Sequence, residues 1–209
     1  MTGVTPAALF TEPASASRLE RVADALSARG FAAEVLDGPD AARVRVRQLI
    51  PESASVFTSA SETLRLSGIE GDINASGRYN ALKPLAVSMD RATQLNDIRQ
   101  LLAAPDVVVG SVAAVTEAGS LVIASATGSQ LPSYSGGAAN RIWVVGAQKI
   151  VPDLSTALER IEQHCLPLES GRAQALYGAP SAVNHVLVLN AEPQPGRSTV
   201  LLLRAAIGF

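Results

Sequence analysis

The stretch VGSVAAVTEAGSLVIAS, residues 109–125, decides the fold because two apolar segments in it flank a tight bend. DVVVGSV, residues 106–112, is a continuous apolar run that is typical of a strand buried on both faces, and AAV after it predicts the first strand of a hairpin. The bend falls between Glu117 and Ser120, and LVIAS after it predicts a returning strand. We therefore predict an antiparallel hairpin near the middle of the chain.

Segments with helical spacing alternate with short strand-like runs on both sides of this hairpin. Helices are predicted at 17–29, 39–51, from Ser61, at 90–106 and at 152–165. Strands are predicted at 31–38, 53–60, 85–89, 106–112, 141–146, 181–190 and 198–209, with a loop or broken helix at 68–84. This alternation predicts an α/β fold with a mostly parallel sheet flanked by helices. We expect a single domain over residues 1–209, with residues 1–35 as a helical N-terminal extension.

Composition and charge argue against several classes of function. The 209 residues are 47% hydrophobic, and 17 basic and 19 acidic side chains form no long run of either sign. A nucleic-acid partner is not expected, because such binding needs a basic patch. Neither a secretory signal nor a run of about 18 apolar residues is present, so no membrane association is expected. These features predict a soluble, cytoplasmic protein.

Cysteine and histidine are too sparse for a metal centre. The single cysteine, Cys165, excludes an intrachain disulfide, and iron–sulfur clusters and structural zinc sites use several cysteines. The two histidines, His164 and His185, lie 21 positions apart, which is not a ligand spacing. We favour structural roles for both histidines and predict no metal.

Several short sequence motifs, from the hairpin to the end of the chain, resemble those of a known family. After VGSVAAVTEAGSLVIAS come a Gly/Ser-rich loop with GSQLPS, then RIWVVGAQKIVPDLSTAL, YGAPSAV and PGRSTVLLL. In this order they resemble the LUD domain of the lactate-utilisation protein C family, over residues 78–209. The sequence departs from the family in APSAVNHVLVLN, where an expected acidic pair is missing and Asn184 and His185 stand in its neighbourhood.

The resemblance implies a fold of the ribose-5-phosphate isomerase and CoA-transferase type. It also implies a role in the bacterial oxidation of L-lactate to pyruvate, beside partner subunits that carry iron–sulfur clusters. A chain with one cysteine fits the cluster-free member of such a group. The divergent Asn184–His185 segment leaves room for another substrate.

Glu117 has two interpretations. A carboxylate at a bend after a strand can act as a general base or as a nucleophile toward an acyl group, if its surroundings tune its pKa. CoA-transferases, which are similar in fold, use a glutamate in a comparable Glu-x-Gly setting, although this is an analogy of fold. Alternatively, Glu117 caps amides at a turn or forms an ion pair.

The loop ATGSQLPSYSGG predicts a site for a small anionic ligand. Its backbone N–H groups and hydroxyls are the donors that hold carboxylates and phosphates, although a plain surface connection is the alternative. The spacing matches neither a phosphate loop nor a dinucleotide motif, so no cofactor is indicated. The predicted ligand-binding residues are Thr116, Gly119, Ser120, Thr127, Gly128, Ser129, Asn140, Arg141 and Ser181. Arg141 could equally be a solvated charge at the start of a strand.

Three functions therefore remain open from the sequence. The first is a LUD-domain protein that supports oxidation of L-lactate or a related 2-hydroxy acid, as a cluster-free subunit or ligand-binding component. The second is an acyl or CoA transferase with Glu117 as the nucleophile. The third is a non-catalytic regulatory or assembly module.

Overall fold

The computed structural model describes residues 8–209, so the first seven residues of the predicted N-terminal extension lie outside the described residues. The helices are α1 (Ala16–Ala28), α2 (Pro39–Leu49), α3 (Glu62–Leu66), α4 (Ile69–Asn74), α5 (Leu82–Ser88), α6 (Leu95–Ala103), α7 (Leu154–Arg160) and α8 (Leu166–Tyr177). The strands are β1 (Ala32–Leu36), β2 (Ser55–Thr58), β3 (Asn80–Ala81), β4 (Val107–Gly110), β5 (Ala114–Thr116), β6 (Leu121–Ser125), β7 (Asn140–Gly146), β8 (Ile150–Val151), β9 (His185–Leu189) and β10 (Ser198–Leu203). A short 3₁₀ turn (Ala8–Phe10) precedes α1.

Six strands form a parallel sheet in the order β1-β10-β7-β4-β2-β3. The strands β4, β7 and β10 at its centre are buried along almost their whole length, as their uninterrupted apolar runs predict. The predicted α/β fold with a mostly parallel sheet is therefore confirmed.

Side chains alternate between two cores on the two faces of this sheet. On one face, Val107, Val109 and Val144 pack with Val46 of α2 and Ile73 of α4. On the other face, alternate residues of the same strands pack with α1 and with a second sheet; the members include Val108, Trp143, Val145, Leu19, Leu26 and Leu121. The predicted helix at 17–29 is thus part of the main core.

The second sheet holds the predicted hairpin. Its order is β8-β5-β6-β9, with β5 and β6 antiparallel and β8 parallel to β5. Helix α7 covers the outer face of this sheet, where Ala157 and Ile161 pack against Ala114, Val122 and Val151. The hairpin therefore lies between the parallel sheet and α7.

The predicted strand at 85–89 is wrong, because residues 85–88 belong to α5 (Leu82–Ser88) and Met89 follows the helix as its cap. Leu82 and Ala86, which are four residues apart and therefore on one helical face, are buried, whereas Leu85 and Val87 are exposed. Only one face of this helix therefore packs against the rest of the protein. Pro84 lies in the first helical turn, where its missing N–H leaves no hydrogen bond unmade. An apolar run as short as this one does not distinguish a helix from a strand.

Two predicted helices have different limits in the structure. Helix α6 begins at Leu95 rather than at residue 90, because Asp90 accepts hydrogen bonds from Ala92 N–H and Thr93 Oγ1 in a separate turn. The helix at 152–165 does not end at Cys165 but continues through a π-helical turn (Ile161–Cys165) into α8. No helix within residues 8–209 has the length and apolar composition needed to cross a membrane.

Candidate functional site

The predicted site residues fall into groups at opposite ends of β6. Thr116, Glu117, Gly119 and Ser120 form the turn before the strand, whereas the loop 127–129 follows it. Five residues of extended chain separate the two groups by about 16 Å. The structure therefore does not bring the predicted carboxylate and the predicted donor loop together.

The β5–β6 turn binds to helix α1. Glu117 Oε1 accepts a hydrogen bond from Arg18 Nε at 2.6 Å, and the Glu117 side chain is 44% exposed. Gly119 has a φ of +85°, and a Cβ atom there would lie 2.8 Å from the carbonyl oxygen of Ala25. This geometry favours the interpretation of Glu117 as an ion-pairing turn residue, and its catalytic role stays a prediction.

The hydroxyls of the turn are also engaged internally. Thr116 Oγ1 accepts the N–H of Ser120 at 3.0 Å, and Ser120 Oγ hydrogen-bonds Asn190 Oδ1 at 2.9 Å. These contacts close the turn and connect it to the end of β9. Ligand binding by Thr116 and Ser120 stays a prediction.

The loop after β6 lies next to the divergent segment before β9. Gly128 N–H donates to Ser125 Oγ at 2.9 Å, and the hydroxyls of Thr127 and Ser129 lie 3.1 Å apart. A Cβ atom at Gly128 would meet the His185 ring at 3.5 Å, and Asn184 Nδ2 donates to the Ala126 carbonyl at 2.9 Å. The loop is exposed, and ligand binding by it stays a prediction.

Arg141 is buried rather than solvated. Its Nη2 forms an ion pair with Glu192 Oε2, and its Nη1 donates to the Tyr134 carbonyl at 2.7 Å. Burial opposes ionisation of Glu192, but hydrogen bonds from Ser198 Oγ and the backbone, together with the Arg141 charge, hold the pKa of that carboxyl below its usual value. The guanidinium is therefore committed to an internal pair.

The two remaining predicted residues lie apart from one another. Asn140, at the start of β7, is exposed, and its N–H donates to the Asp106 carbonyl at 2.9 Å. Ser181 lies between α8 and β9, where its carbonyl accepts a hydrogen bond from Ser170 Oγ at 3.4 Å. Neither joins the turn or the loop in a common cluster.

A different polar cluster lies at the carboxyl ends of β4 and β7, the edge where ligands bind in open α/β sheets. Lys149 Nζ donates to Thr63 Oγ1 at 2.9 Å, to Ser111 Oγ at 3.0 Å and to the Val112 carbonyl at 3.1 Å. Lys149 is 1% exposed. Burial, and then the charge of Arg160, lower the pKa of Lys149 to about 7.

Arg160 is the second buried cation of this cluster, with 0% exposure. Its Nη1 donates to the Ala113 carbonyl at 2.6 Å and to Cys165 Sγ at 2.8 Å. Its Nε and Nη2 have no hydrogen-bond partner among residues 8–209. Two basic side chains are thus buried in one cluster, and the Cys165 thiol acts on the pKa of both.

A tyrosine from the predicted donor loop reaches the same edge. The Tyr134 hydroxyl hydrogen-bonds Ser59 Oγ at 2.5 Å, and a Cβ atom at Gly110 would collide with it. The N–H of Ser111 also donates to this hydroxyl, so Ser111 contacts both Tyr134 and Lys149. Burial raises the pKa of Tyr134, which therefore remains a neutral donor.

A cavity of about 330 Å³ opens beside the carboxyl ends of β7 and β10. Its lining residues are Thr11, Leu66, Gln148, His164, Leu168 and 206–209. Gln148 Nε2 holds this last segment by donating to the carbonyls of Ile207 and Gly208 at 3.0 and 2.9 Å. Thr63 Oγ1 donates to the same Ile207 carbonyl at 3.3 Å, so one residue separates the Lys149 ammonium from the cavity wall.

A cavity of about 260 Å³ between α2 and α4 is a weaker candidate. Its arginines are already paired: Arg43 binds Asp72 through two hydrogen bonds of 2.8 Å, and Arg78 binds Glu52 at 2.8 Å. It also lies away from the carboxyl ends of the central strands. The carboxyl edge around Lys149 is therefore the candidate site.

Lys149 lies in the motif RIWVVGAQKIV but is not among the residues predicted from the sequence. A signal was present, because a lysine three residues beyond a buried parallel strand occupies a position where α/β proteins place functional groups. Its partners Thr63 and Ser111 are far away in sequence, so the cluster itself was not visible.

Comparison with known proteins agrees with this fold. The LUD domain sequence profile matches residues 19–202, which extends the resemblance well before residue 78. A crystal structure of a DUF162 family protein from Deinococcus radiodurans is similar, with a TM-score of 0.55 and 15% identity. The similarity covers 91% of this chain and 99% of that chain, and at this identity it supports the fold alone. A search of curated proteins found no significant match. On the profile match, the chain belongs to the LUD domain family.

Proposed function

We propose that this protein supports the bacterial oxidation of L-lactate, or of a related 2-hydroxy acid, to pyruvate in the cytoplasm. The observation that carries the proposal is the match to the LUD domain over residues 19–202. The protein acts as a cluster-free subunit or ligand-binding component. Its partners in this proposal are subunits that contain iron–sulfur clusters.

The cysteine content supports the part of the proposal in which another subunit carries the redox centre. Oxidation of a 2-hydroxy acid removes two electrons, which a redox centre must accept. An iron–sulfur cluster is usually held by four cysteines, and this chain has one. Electron transfer in the proposal therefore belongs to partner subunits.

The carboxyl edge supports the role in ligand binding. The cavity of about 330 Å³ lies within the usual range for small-molecule sites and combines apolar walls with Gln148 and His164. Arg160, which donates to Cys165 beside the cavity residue His164, is a buried cation without a paired carboxylate among residues 8–209, and this favours an anionic ligand.

Deletion of the gene tests this function. We expect the deletion strain to grow more slowly on L-lactate or on a related 2-hydroxy acid, with normal growth on pyruvate. Reintroduction of the gene should restore growth. Undiminished growth of the deletion strain on the whole series of acids would refute the proposal.

A further inference from the structure

The Lys149 side chain is an amine held in place at the end of a buried strand. All three ammonium hydrogens have acceptors, namely the hydroxyls of Thr63 and Ser111 and the carbonyl of Val112, at 2.9–3.1 Å. Hydroxyl groups can also donate, so Ser111 Oγ can hold the neutral amine as well as the ammonium. The position of Nζ is thus fixed in either protonation state.

The charges around Lys149 favour the neutral amine. The buried Arg160 charge lowers the pKa of Lys149, and the Cys165 thiol raises it. Two further titratable groups lie in the same region: His164, which precedes Cys165 in the chain, and Tyr134, which contacts Ser111. In the described part of the chain, neither Lys149 nor Arg160 forms an ion pair with a carboxylate. Desolvation next to a second cation is one way in which proteins make lysine nucleophilic near neutral pH.

The neutral fraction that follows is large. With a pKa of about 7, most Lys149 side chains are neutral at pH 8, whereas an ordinary lysine is almost entirely protonated at this pH. Amines react with carbonyl carbons only in this neutral form.

The cavity at the carboxyl edge lies one residue away from the amine. Ile207 and Gly208 line the cavity and lie directly on Thr63, since a Cβ atom at Gly208 would collide with Thr63 Oγ1. Thr63 in turn binds Nζ, so contact between a cavity ligand and the amine requires this segment to move away from Thr63.

We propose that Lys149 is a carbonyl-reactive amine that forms an imine with a 2-oxo acid such as pyruvate. The neutral Nζ attacks the ketone carbon, a C=N bond replaces the C=O bond, and the oxygen leaves with the two amine hydrogens as water. The choice of a 2-oxo acid rests on the proposed function, whereas the reactivity of the amine rests on the cluster itself.

Reductive trapping tests this inference. The full-length protein is incubated with pyruvate and sodium cyanoborohydride at pH 8, and the modified residues are located by peptide mass spectrometry. The chain has two lysines, so Lys83, which is ion-paired with Glu70 on α4, is an internal control. We expect one reduced pyruvate unit on Lys149, formed at least tenfold faster than on Lys83.

Two variants and a pH series complete the experiment. Lys149→Met keeps a side chain of similar length and is uncharged like the neutral amine, but it cannot form an imine and should lose the adduct, whereas Lys83→Arg should keep it. Labelling of Lys149 should rise from pH 6 to 8 and then level off. Absence of an adduct on Lys149 in the wild-type protein, or faster labelling of Lys83, would overturn the inference. Normal growth of the deletion strain on L-lactate together with a Lys149 adduct would refute the proposed function and leave this inference standing.

Discussion

Lys149 and Arg160 are buried basic residues, with exposures of 1% and 0%, and neither forms an ion pair with a carboxylate within residues 8–209. Arg141, the other buried basic residue considered above, has Glu192 as its partner. An unpaired buried charge is costly, and a lysine can avoid the cost by releasing its proton whereas an arginine cannot. The pair therefore places a neutral amine at the carboxyl edge of the sheet.

Replacing Lys149 by methionine should change how stability depends on pH. The pKa of Lys149 is about 7 in the folded protein and about 10.4 in the unfolded chain. Between these values the unfolded chain holds a proton that the folded protein lacks, so this group makes the free energy of unfolding rise with pH, by at most about 1.4 kcal/mol per unit. This rise begins near pH 7. Below pH 7 Lys149 is protonated in the folded protein as well, so the free energy of unfolding is lowered by the full cost of burying the ammonium charge.

Urea unfolding of the wild type and Lys149→Met at pH 6.5, 7.5 and 8.5 measures this effect. We expect the wild type to gain stability relative to the variant at each step. A difference between the two proteins that is the same at all three pH values would show that Lys149 does not titrate in this range.

The ion pairs Arg141–Glu192 and Arg18–Glu117, each of which contains a predicted site residue, should differ in their contribution to stability. Glu192→Gln leaves the Arg141 guanidinium buried without its counter-charge, and we expect a loss of about 3–5 kcal/mol. Glu117→Gln removes a partly exposed pair, so we expect a loss below about 1 kcal/mol. Chemical denaturation of both variants at neutral pH is the measurement, and equal losses would contradict this assignment of roles.

Gly119 should be intolerant of a side chain for two reasons. Its φ of +85° is unfavourable for other residues, and a Cβ atom would press against the backbone of Ala25. Gly119→Ala should therefore lower the free energy of unfolding by more than about 1 kcal/mol. Gly136→Ala is the control, because Gly136 has a negative φ and open space at the Cβ position. Thermal unfolding of both variants checks this, and an unchanged melting temperature for Gly119→Ala would contradict the close contact with α1.

The strands of the central sheet could be predicted because their apolar runs are long enough to indicate burial on both faces. The strand predicted at 85–89 was wrong, because a short run with four apolar residues fits a helix turn as well as a strand. Burial of Leu82 and Ala86 on one face accompanies the helix α5. The hairpin was predicted correctly from the bend at Glu117, since turn residues act locally.

The candidate site could be predicted only in part. Arg141 was identified as a basic residue at the start of a strand, but its partner Glu192 lies 51 positions away and sequence spacing does not reveal it. Lys149 meets Thr63 and Ser111 across 86 and 38 positions. Such contacts depend on the order of the strands in the sheet, which alternation of helices and strands does not determine.

Complementation on L-lactate tests most directly the central claim that the functional centre is the carboxyl edge at Lys149 and not the turn at Glu117. The deletion strain would carry the wild-type gene, Glu117→Gln or Lys149→Met, with equal soluble protein confirmed by immunoblot and folding checked by circular dichroism. We predict that the wild type and Glu117→Gln restore growth and that folded Lys149→Met does not. Full growth with Lys149→Met, or loss of growth with folded Glu117→Gln, would contradict the claim.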